Sequence, residues 1–452
     1  MISMTLSKAA AAIEANYSGE ALIFSGCSID SRTIEKENLF IAINGESFDG
    51  HDYVSMAEEK GATALLLDRE VNHSKPLLKV KNTRRAMGLL ARSWREEMSI
   101  PLVAITGSNG KTTVKEMVAS TLSEISDVHA TSGNLNNDIG VPLTLFGLDK
   151  KHRYAVIEMG ANHPGEIEWL SSIARPNVAV ITQCAPAHLE GFGDIDGVAK
   201  AKAEIYSGLQ PSGTAIINAD DTYAEFWRKQ CKFKTQLSFG IEAAKADVRA
   251  ENIRVTKQST ATDFDLVCSA GTMKISLPLS GTHNVMNALA AAACCLSLGV
   301  SLAEIKTGLE KISPVKGRLQ SKQGKQGARI IDDTYNANPT SLEAALDVLS
   351  SHEGARFLVL GDMGELGDAA KELHREAGVR TKHAKIDGLF TIGDLSINAM
   401  QTYGDGALHF ESYEALQKML LALLNKDTTI LVKGSRAMQM ERIVNILTEE
   451  QL

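Results

Sequence analysis

A glycine-rich loop followed by Lys-Thr-Thr limits what this chain can fold into more than any other feature. An apolar run over residues 101–105 predicts a buried strand, and the apolar residues after the loop recur at helical spacing, at Val114, Met117, Val118 and Leu122. Between them lie Gly107, Ser108, Asn109, Gly110, Lys111, Thr112 and Thr113. Loop amides and a helix N-terminus both favour a phosphate group. The pattern therefore predicts a nucleotide-phosphate site in an α/β domain.

This loop is shorter than the common P-loop. Its spacing is Gly-x-x-Gly-Lys-Thr, and Ile105 stands where the common motif has its first glycine. In a P-loop the lysine, here Lys111, contacts the β- and γ-phosphates, and the next hydroxyl, here Thr112, binds Mg²⁺. The alternative interpretation is an ordinary glycine-rich turn, which would not require the Lys-Thr-Thr that follows.

Length and charge exclude some classes of protein. The 452 residues predict about three domains, which we place at residues 1–98, 99–313 and 314–452. A composition of 44% hydrophobic and 23% charged residues is that of an ordinary globular protein. The net charge of −8 argues against a nucleic-acid-binding surface. An anionic ligand would have to be bound by local basic residues.

Cysteine usage and the N-terminus both indicate a cytoplasmic protein. The six cysteines contain no C-x-x-C pair and fit free thiols in a reducing compartment. The first residues lack the basic and apolar segments of a signal peptide. The longest nearly apolar run, residues 288–300, is too short to cross a bilayer. We therefore expect no membrane span, and we expect a monomer.

Hydrophobic patterning predicts an α/β fold in all three domains. The first is a small α/β domain with strands at residues 39–43 and 62–67 and a helix at 53–61. In the central domain, a βα series with a mostly parallel sheet is predicted by strands at residues 155–158, 178–182 and 214–218. Residues 239–278 predict an inserted antiparallel ribbon, and residues 281–298 a helix.

The third domain reads as a Rossmann-like fold. Its predicted strands cover residues 328–332, 357–360, 388–392 and 428–432. No Gly-x-Gly-x-x-Gly follows the first of these strands, so no dinucleotide cofactor is expected.

Three residues of the central domain are candidates for metal or catalytic chemistry. Glu158 ends a predicted strand, where a carboxylate can hold Mg²⁺ or can simply be solvated. His188 follows the next strand and is a metal ligand, a polar contact or a loop histidine. Lys200 and Lys202 lie about 200° apart on a predicted helix and so serve different faces. Spacing alone favours a solvated helix face for them.

Further polar residues lie at helix starts and strand ends. Asn284 and Asn287 share a helix face, where their amides can read a base edge or cap the helix. Arg318, at the junction of the second and third domains, can reach phosphate bidentately. Three strand ends of the third domain should face one crevice. They carry the candidates Asp333, Asn336, Asn338, Ser435 and Arg436, with a Gly-Asp-Met-Gly-Glu-Leu-Gly run at residues 361–367.

Two turn-rich pieces of the first domain are weaker candidates. Ser31 and Arg32 form a ligand contact or a capped surface turn. Asp49, Gly50 and His51 begin as an Asp-Gly turn, which needs no ligand to explain it.

Taken in their order along the chain, the motifs resemble those of the Mur ligases, which are ATP-dependent amide-forming enzymes of peptidoglycan precursor synthesis. The resemblance covers essentially the whole chain. It rests on the loop at residues 106–113, Asn134-Leu-Asn136-Asn137, Glu158, His188, the Lys202 helix, His283-Asn284, Gly317-Arg318 and residues 333–339. Residues 158–163, 187–193, 361–367 and 433–436 look most like the branch that adds D-alanyl-D-alanine. The Asp-Asn-Pro-Arg run expected of the diaminopimelate- or lysine-adding branch is absent.

The resemblance implies substrates and roles. The substrates are ATP, UDP-N-acetylmuramoyl-tripeptide and D-alanyl-D-alanine, and two Mg²⁺ ions are implied. Catalysis is assigned to Lys111, His188, Lys202 and Arg318. ATP binding is assigned to Gly107, Ser108, Asn109, Gly110, Lys111, Thr112, Thr113, Asn284, Asn287, Arg318 and Asp333. Thr112 and Glu158 would hold one metal ion and His188 a second. Lys202 aligns with the lysine that the family carbamylates, which would make it a metal ligand.

The remaining assignments implied by the resemblance concern the other two substrates. Ser31, Arg32, Asp49, Gly50 and His51 would lie near the UDP moiety. Asn134, Asn136 and Asn137 would face the sugar-peptide. Asn336, Asn338, Ser435 and Arg436 would bind the dipeptide.

Two rival functions remain to be weighed. One is another Mur-type or folylpolyglutamate-synthetase-like ligase with a different amine. The other is a P-loop switch or scaffold. A switch GTPase should carry Asn-Lys-x-Asp, whereas Asn425-Lys426 is followed by Asp427 and Thr428. A scaffold would not need Glu158, His188 and Lys202 together.

Overall fold

The computed structural model describes residues 1–17, 22–45, 48–255 and 261–448. The N-terminal region pairs β1 (Ser3–Thr5) with β2 (Ile23–Ser25) and forms a parallel sheet in the order β3-β4-β5-β6. The bounds are β3 Cys27–Ser28, β4 Leu39–Ile41, β5 Ala64–Leu67, β6 Leu77–Lys79, α1 Leu6–Ile13, α2 Val54–Glu59 and α3 Thr83–Met98. The two predicted strands and the helix of this region are therefore present, each shorter than predicted.

The central region is built on one sheet, in the order β15-β14-β13-β12-β11-β10-β7-β9-β8 over the described residues. The strands are β7 Leu102–Thr106, β8 Val128–Ala130, β9 Tyr154–Glu158, β10 Val178–Ile181, β11 Thr214–Asn218, β12 Thr235–Gly240, β13 Val248–Val255, β14 Thr262–Cys268 and β15 Gly271–Leu277. The helices are α4 Lys111–Ser123, α5 Gly140–Phe146, α6 Glu166–Ala174, α7 Leu189–Phe192, α8 Ile195–Ala203, α9 Ala224–Gln230, α10 Thr282–Ser297 and α11 Leu302–Glu310.

The predicted, mostly parallel central sheet is confirmed. Pairings from β8 through β13 are parallel, and only β13-β14-β15 pair antiparallel in the described part of the chain. The prediction of a separate ribbon over residues 239–278 needs correction. β12 and the start of β13 are parallel members of the main sheet, so the antiparallel strands extend that sheet.

The C-terminal region forms a second mostly parallel sheet, in the order β16-β17-β21-β18-β19-β20. Its strands are β16 Gln320–Gln323, β17 Arg329–Asp333, β18 Ala355–Gly361, β19 Gly388–Ile392, β20 Ala407–Phe410 and β21 Thr428–Lys433. Its helices are α12 Pro339–Ser350, α13 Ala370–His383, α14 Ile397–Tyr403, α15 Tyr413–Leu423 and α16 Glu441–Leu447. This arrangement agrees with the Rossmann-like prediction.

Apolar cores lie on both faces of each large sheet. Strands of parallel sheets are apolar throughout because helices cover both faces, and every residue of β7 and β10 is buried. One face of the central sheet packs together with the N-terminal region, and the other packs against α4, α10 and α11. In the described residues, no helix is long and apolar enough to cross a membrane.

Candidate active site

The phosphate loop lies between β7 and α4, as predicted. Gly107 has a φ of 145°, and a Cβ there would lie 1.9 Å from Thr182 Oγ1. Gly110 has a φ of 81°, and its Cβ would lie 2.4 Å from Asn287 Oδ1. Only glycine fits at these two positions, because a side chain would clash and would also strain the backbone.

Lys111 begins α4 and folds back over the loop. Its Nζ donates to the carbonyl oxygens of Gly107 at 2.7 Å and Ser108 at 3.4 Å. Burial lowers the pKa of Lys111, the charge of Arg318 lowers it further, and Glu158 opposes the shift. A cation held by the loop in this way is positioned to contact phosphate oxygens.

The loop also contacts the C-terminal region directly. Asn338 Nδ2 donates to Asn109 Oδ1 at 2.8 Å, and Arg318 Nη2 donates to Thr112 Oγ1 at 3.3 Å. Asn109 Nδ2 and Arg318 Nε are buried and lack hydrogen-bond partners in the described residues. Buried donors without partners are costly, so these two atoms mark where an anionic or carbonyl-bearing ligand would be bound.

Glu158, at the end of β9, has one engaged and one unpaired carboxylate oxygen. Asn136 Nδ2 donates to Oε1 at 2.9 Å. Oε2 is buried and has no hydrogen-bond partner in the described part of the chain. A buried, unpaired carboxylate oxygen beside a phosphate loop fits Mg²⁺, which takes one or two carboxylates together with water and phosphate oxygens. Among the described residues, no group of three or more Asp, Glu, His or Cys side chains is arranged so that it could hold a metal ion.

The asparagine loop before α5 combines structural and site contacts. Asn137 Oδ1 accepts from Gly140 N at 2.8 Å at the start of the helix. Asn136 O accepts from Gly160 N at 2.8 Å, which fixes the loop against the end of β9. Asn134, Asn136 and Asn137 all line the same cavity as Lys111.

The expectation from spacing alone that Lys202 lies on a solvated helix face is wrong. Its side chain is almost fully buried on α8, whereas Lys200 is exposed, so the two do serve different faces. Burial, with a contribution from the charge of Lys111, lowers the pKa of Lys202 to about 7. Its Nζ lies 5.4 Å from the centre of the Phe192 ring. No carboxylate lies within ion-pairing distance in the described residues.

His188 is held beside the C-terminal region. It adopts a left-handed backbone conformation with a φ of 54°. Its Nδ1 lies 2.6 Å from Glu365 Oε2. Contact with His188 is the main reason why the pKa of Glu365 is lowered. Glu365 belongs to the 361–367 run noted from the sequence, but the sequence did not indicate this partner.

The start of α10 supplies the paired amides. Asn284 is buried and its Nδ2 donates to Ser280 O at 2.8 Å. Asn287 Nδ2 donates to Asn284 Oδ1 at 3.2 Å. Both residues line the cavity. Burial lowers the pKa of the adjacent His283 to about 4, so the ring is neutral at physiological pH.

Adjacent strand ends of the C-terminal sheet form the opposite wall. Lys433 Nζ forms an ion pair with Asp333 Oδ2 and donates to Asn336 O at 2.9 Å. The guanidinium carbon of Arg318 lies 4.2 Å from the centre of the Tyr335 ring. Asn338 also caps α12, because its Oδ1 accepts from Ser341 N at 2.8 Å.

One cavity of about 1070 Å³ connects these groups. Most predicted residues of the central and C-terminal regions line it: Ser108, Asn109, Gly110, Lys111, Thr113, Asn134, Asn136, Asn137, Glu158, His188, Asn284, Asn287, Arg318, Asp333, Asn336 and Asn338. The cavity thus joins the phosphate loop, the carboxylate of Glu158 and the strand ends of the second sheet.

The predicted residues of the N-terminal region lie outside this cavity. His51 is buried, with Nδ1 2.7 Å from Asp49 Oδ1 and Nε2 3.1 Å from Asp68 Oδ1. Arg32 is exposed and pairs with Asp30 at 2.8 Å. Ser31 is buried, and Gly50 allows a close approach to Ile43, from whose N a Cβ would be 2.7 Å away. Their assignment to UDP binding stays a prediction.

Two predicted residues of the C-terminal region also lie outside the cavity. Ser435 is buried, and its N–H donates to Asp362 O at 2.9 Å. Arg436 Nη1 pairs with Glu441 Oε1 at 2.9 Å. Their assignment to the dipeptide likewise stays a prediction.

Sequence reasoning did not identify one end of the cavity, which is formed by Asn82, Arg84, Arg85 and Trp169. The sequence feature that could have indicated this part of the cavity is the helix-capping residue Asn82, followed closely by Arg84 and Arg85. Asn82 Oδ1 accepts from Arg85 N at 2.8 Å at the start of α3.

Three family models match: Mur ligase family, catalytic domain, at residues 23–95; Mur ligase middle domain at 105–295; and Mur ligase, glutamate ligase domain, at 317–436. A relative from Escherichia coli (strain K12), named UDP-N-acetylmuramoyl-tripeptide–D-alanyl-D-alanine ligase, is 44% identical over 99% of each chain.

Two solved structures are also similar. One is UDP-N-acetylmuramoylalanyl-D-glutamyl-2,6-diaminopimelate–D-alanyl-D-alanyl ligase from Acinetobacter baumannii, at 36% identity and a TM-score of 0.90 over 100% of this chain and 99% of that one. The other is MurF ligase from Thermotoga maritima in complex with ADP, at 28% identity and a TM-score of 0.84 over 93% and 96%. From its sequence, its domain models and its fold, we conclude that the chain belongs to the Mur ligase family.

Proposed function

We propose that this chain is an ATP-dependent ligase that adds D-alanyl-D-alanine to UDP-N-acetylmuramoyl-tripeptide, giving the pentapeptide precursor of peptidoglycan. The observation that carries this proposal is the single cavity that joins a phosphate loop, an unpaired carboxylate oxygen and the strand ends of a second sheet. The name of the Escherichia coli relative supports the choice of substrates. A UDP-linked substrate and ATP are both cytoplasmic, so we place the reaction there, and we propose a monomer.

The nucleotide occupies the end of the cavity formed by the loop and α10. Gly107, Gly110, Lys111 and neighbouring loop residues bind the phosphates, and Arg318 approaches them with its free Nε. Asn284 and Asn287 bind the adenine, and Asp333 binds the ribose. The Thermotoga maritima relative, solved with ADP, supports a nucleotide at this site.

Mg²⁺ fits this site because Glu158 Oε2 is buried and unpaired. Thr112 and Glu158 would hold one ion and His188 a second. Lys202 becomes a further ligand if its amine is carbamylated, and a pKa of about 7 leaves much of that amine neutral and nucleophilic near pH 7. The ions, when bound, neutralise charge on the transferring phosphoryl group.

The reaction begins with a peptide carboxylate, which is a poor electrophile. Its oxygen attacks the γ-phosphorus of ATP, the bond to the β-phosphate oxygen breaks, and an acyl phosphate and ADP form. Lys111 and Arg318 place positive charge where negative charge is transferred. The neutral amine of D-alanyl-D-alanine then attacks the acyl carbon, its nitrogen gives up one proton, and phosphate leaves from the tetrahedral intermediate. Residues of two sheets line the cavity, and closure of the domains on ATP binding would exclude water from the acyl phosphate.

The other substrates fill the rest of the cavity. We assign Asn134, Asn136 and Asn137 to the sugar-peptide and Asn336 and Asn338 to the dipeptide. Ser31, Arg32, Asp49, Gly50 and His51 remain assigned to UDP, and Ser435 and Arg436 to the dipeptide. We assign residues 1–98 to sugar-peptide binding, 99–313 to the ATPase domain and 314–452 to dipeptide binding and completion of the ATP site.

Phosphate release tests the proposal. We expect release from ATP that requires both UDP-N-acetylmuramoyl-tripeptide and D-alanyl-D-alanine, and no release with the Lys111→Ala variant, which still binds the sugar-peptide. Equal release with other amino acids would favour a ligase with a different amine. ATP hydrolysis independent of both substrates would favour a P-loop switch.

A further inference from the structure

The basic end of the cavity, formed by Asn82, Arg84, Arg85 and Trp169, has no role in the mechanism above. We propose that Arg85 binds a free carboxylate of the sugar-peptide, different from the carboxylate that is activated. This inference rests on the proposed function, because it needs a peptide in the cavity. It makes Arg85 a residue that determines which tripeptides are bound.

Arg85 has unused hydrogen-bonding capacity. Its guanidinium carbon lies 4.9 Å from the centre of the Trp169 ring. This contact with the ring uses none of the N–H donors in a hydrogen bond, so they remain available for a planar, bidentate carboxylate. No acidic side chain pairs with Arg85 in the described part of the chain. Two acidic residues that also line the cavity are engaged elsewhere: Asp138 pairs with Arg84, and Glu166 lies 3.3 Å from His163.

The contact between Arg85 and Trp169 is fixed by the close approach of α3 and α6. A Cβ on Gly88 would lie 2.6 Å from Trp169 Cζ2 and 2.8 Å from Ile173 Cδ1. Only glycine allows α3 and α6 to approach this closely. Gly88 lies one turn after Arg85, so the ring is held beneath the guanidinium. A pre-oriented donor loses less conformational entropy when it binds a ligand.

The neighbouring arginine is already engaged. Arg84 Nη1 lies 3.3 Å from Asp138 Oδ2, and its Nη2 donates to Asn44 O at 3.1 Å. Asp138 neutralises its charge, which leaves Arg85 as the cation available to a ligand. Arg84 and Asp138 form the wall beside it.

The basic end lies near the reaction centre. Asp138, which contacts Arg84, is two residues after Asn136, which donates to Glu158 at 2.9 Å. Consecutive Cα atoms are about 3.8 Å apart, so Asn136 and Asp138 are separated by at most about 7.6 Å. Because Arg84 contacts Asp138, close in the chain to the residue that binds Glu158, we assign the peptide portion of the ligand to Arg85 rather than the UDP diphosphate.

The peptide offers two free carboxylates besides the one that is activated. A glutamyl residue within a peptide keeps one of its two carboxyl groups free. Diaminopimelate as the third residue has a second carboxyl group at the far end of its side chain, which lysine lacks. Both present the same chemistry to Arg85, so the experiment must separate them.

Calorimetric binding by the full chain tests the inference without catalysis. The proteins are wild type, Arg85→Gln and the control Arg92→Gln, which lies on the same helix and pairs with Glu96 at 3.2 Å. The ligands are the diaminopimelate sugar-peptide, its lysine analogue, its analogue with the glutamyl carboxylate replaced by an amide, and UDP-N-acetylmuramate. We expect Arg85→Gln to weaken binding of the diaminopimelate ligand about 10- to 100-fold, and Arg92→Gln to leave it unchanged.

The analogues identify the carboxylate. The analogue that lacks the recognised carboxylate should bind wild type as weakly as the full diaminopimelate ligand binds Arg85→Gln. Arg85→Gln should bind that analogue and the full ligand with the same affinity. Unchanged binding by Arg85→Gln would overturn the inference. Equal weakening for UDP-N-acetylmuramate, which has no peptide, would overturn it in favour of a contact with the diphosphate or with the lactyl carboxylate that is free in this ligand. A wild type that binds the sugar-peptide but does not ligate it would refute the proposed function alone.

Discussion

His188 and Glu365 meet across the two large sheets, with His188 Nδ1 2.6 Å from Glu365 Oε2. Both have left-handed backbones, with φ values of 54° and 62°. Such conformations cost of order 1–3 kcal/mol for residues other than glycine. Glu190 N also donates to Glu365 O at 3.5 Å. The loop that carries His188 is therefore positioned by the C-terminal region.

If His188 holds a metal ion as we propose, Glu365→Gln should lower kcat about 10- to 100-fold, because a carboxylate that orients a metal-binding histidine is worth about that much. The KM for ATP should change less, since Glu365 is not assigned to the nucleotide. Steady-state kinetics at saturating substrates measure this. Glu372→Gln, an exposed position on α13 that pairs with Arg375, is the control. A wild-type kcat for Glu365→Gln would contradict the prediction.

Replacing Lys202 tests its carbamylation. We expect Lys202→Ala to lose at least about 100-fold in activity, because a buried metal ligand would be missing. Added formate or acetate should restore part of it, and bicarbonate should not. Lys200→Ala, on the exposed face of α8, should be active. Wild-type protein should give a carbamate signal by ¹³C NMR in labelled bicarbonate. Full activity in Lys202→Ala would remove the hypothesis.

The stacking of Arg318 on Tyr335 predicts different effects for two substitutions. Tyr335→Phe keeps the aromatic face and should leave the KM for ATP nearly unchanged. Tyr335→Leu removes the cation–π contact, 4.2 Å from guanidinium carbon to ring centre, and should raise that KM about 2- to 30-fold. Initial rates at varied ATP measure the difference. Equal effects of the two substitutions would show that the ring face is not what matters.

His352 predicts a pH dependence of stability. Burial, together with the adjacent charge of Arg329, lowers its pKa to about 4, against about 6.5 in an unfolded chain. Between these values the unfolded chain binds more protons, so the free energy of unfolding decreases as the pH falls from 6.5 towards 4. His352→Gln should reduce the loss between pH 7.5 and 5 by about 1 kcal/mol, about half of what these two pKa values alone would give, because solvent screens a partly buried ring. Urea unfolding at both pH values measures this.

The control for that experiment is His383→Gln, because His383 is exposed on α13. It should lose the same stability between the two pH values as wild type. A His352→Gln variant with the wild-type loss would show that this ring does not contribute.

Structural features that depend only on residues close together in the chain could be predicted from the sequence. The loop at Gly107 and Gly110 is one, because its backbone geometry depends on glycines at fixed spacing. The strands at residues 214–218 and 388–392 match their predicted bounds. Lys202 could not be predicted, since its burial depends on how α8 packs. Arg85 was not identified as a candidate binding residue, because that role depends on its contact with Trp169. Trp169 is distant in sequence and is brought close by the packing at Gly88.

The divided carboxylate of Glu158 has a thermodynamic consequence. Asn136, from the loop assigned to the sugar-peptide, holds Oε1, while Oε2 is left for a cation. If ligand contacts alter the hydrogen bond from Asn136, they alter the electron density on the oxygen that faces the ion. Coupling between two binding equilibria is reciprocal. The factor by which Mg²⁺ changes the affinity for sugar-peptide must therefore equal the factor by which sugar-peptide changes the affinity for Mg²⁺.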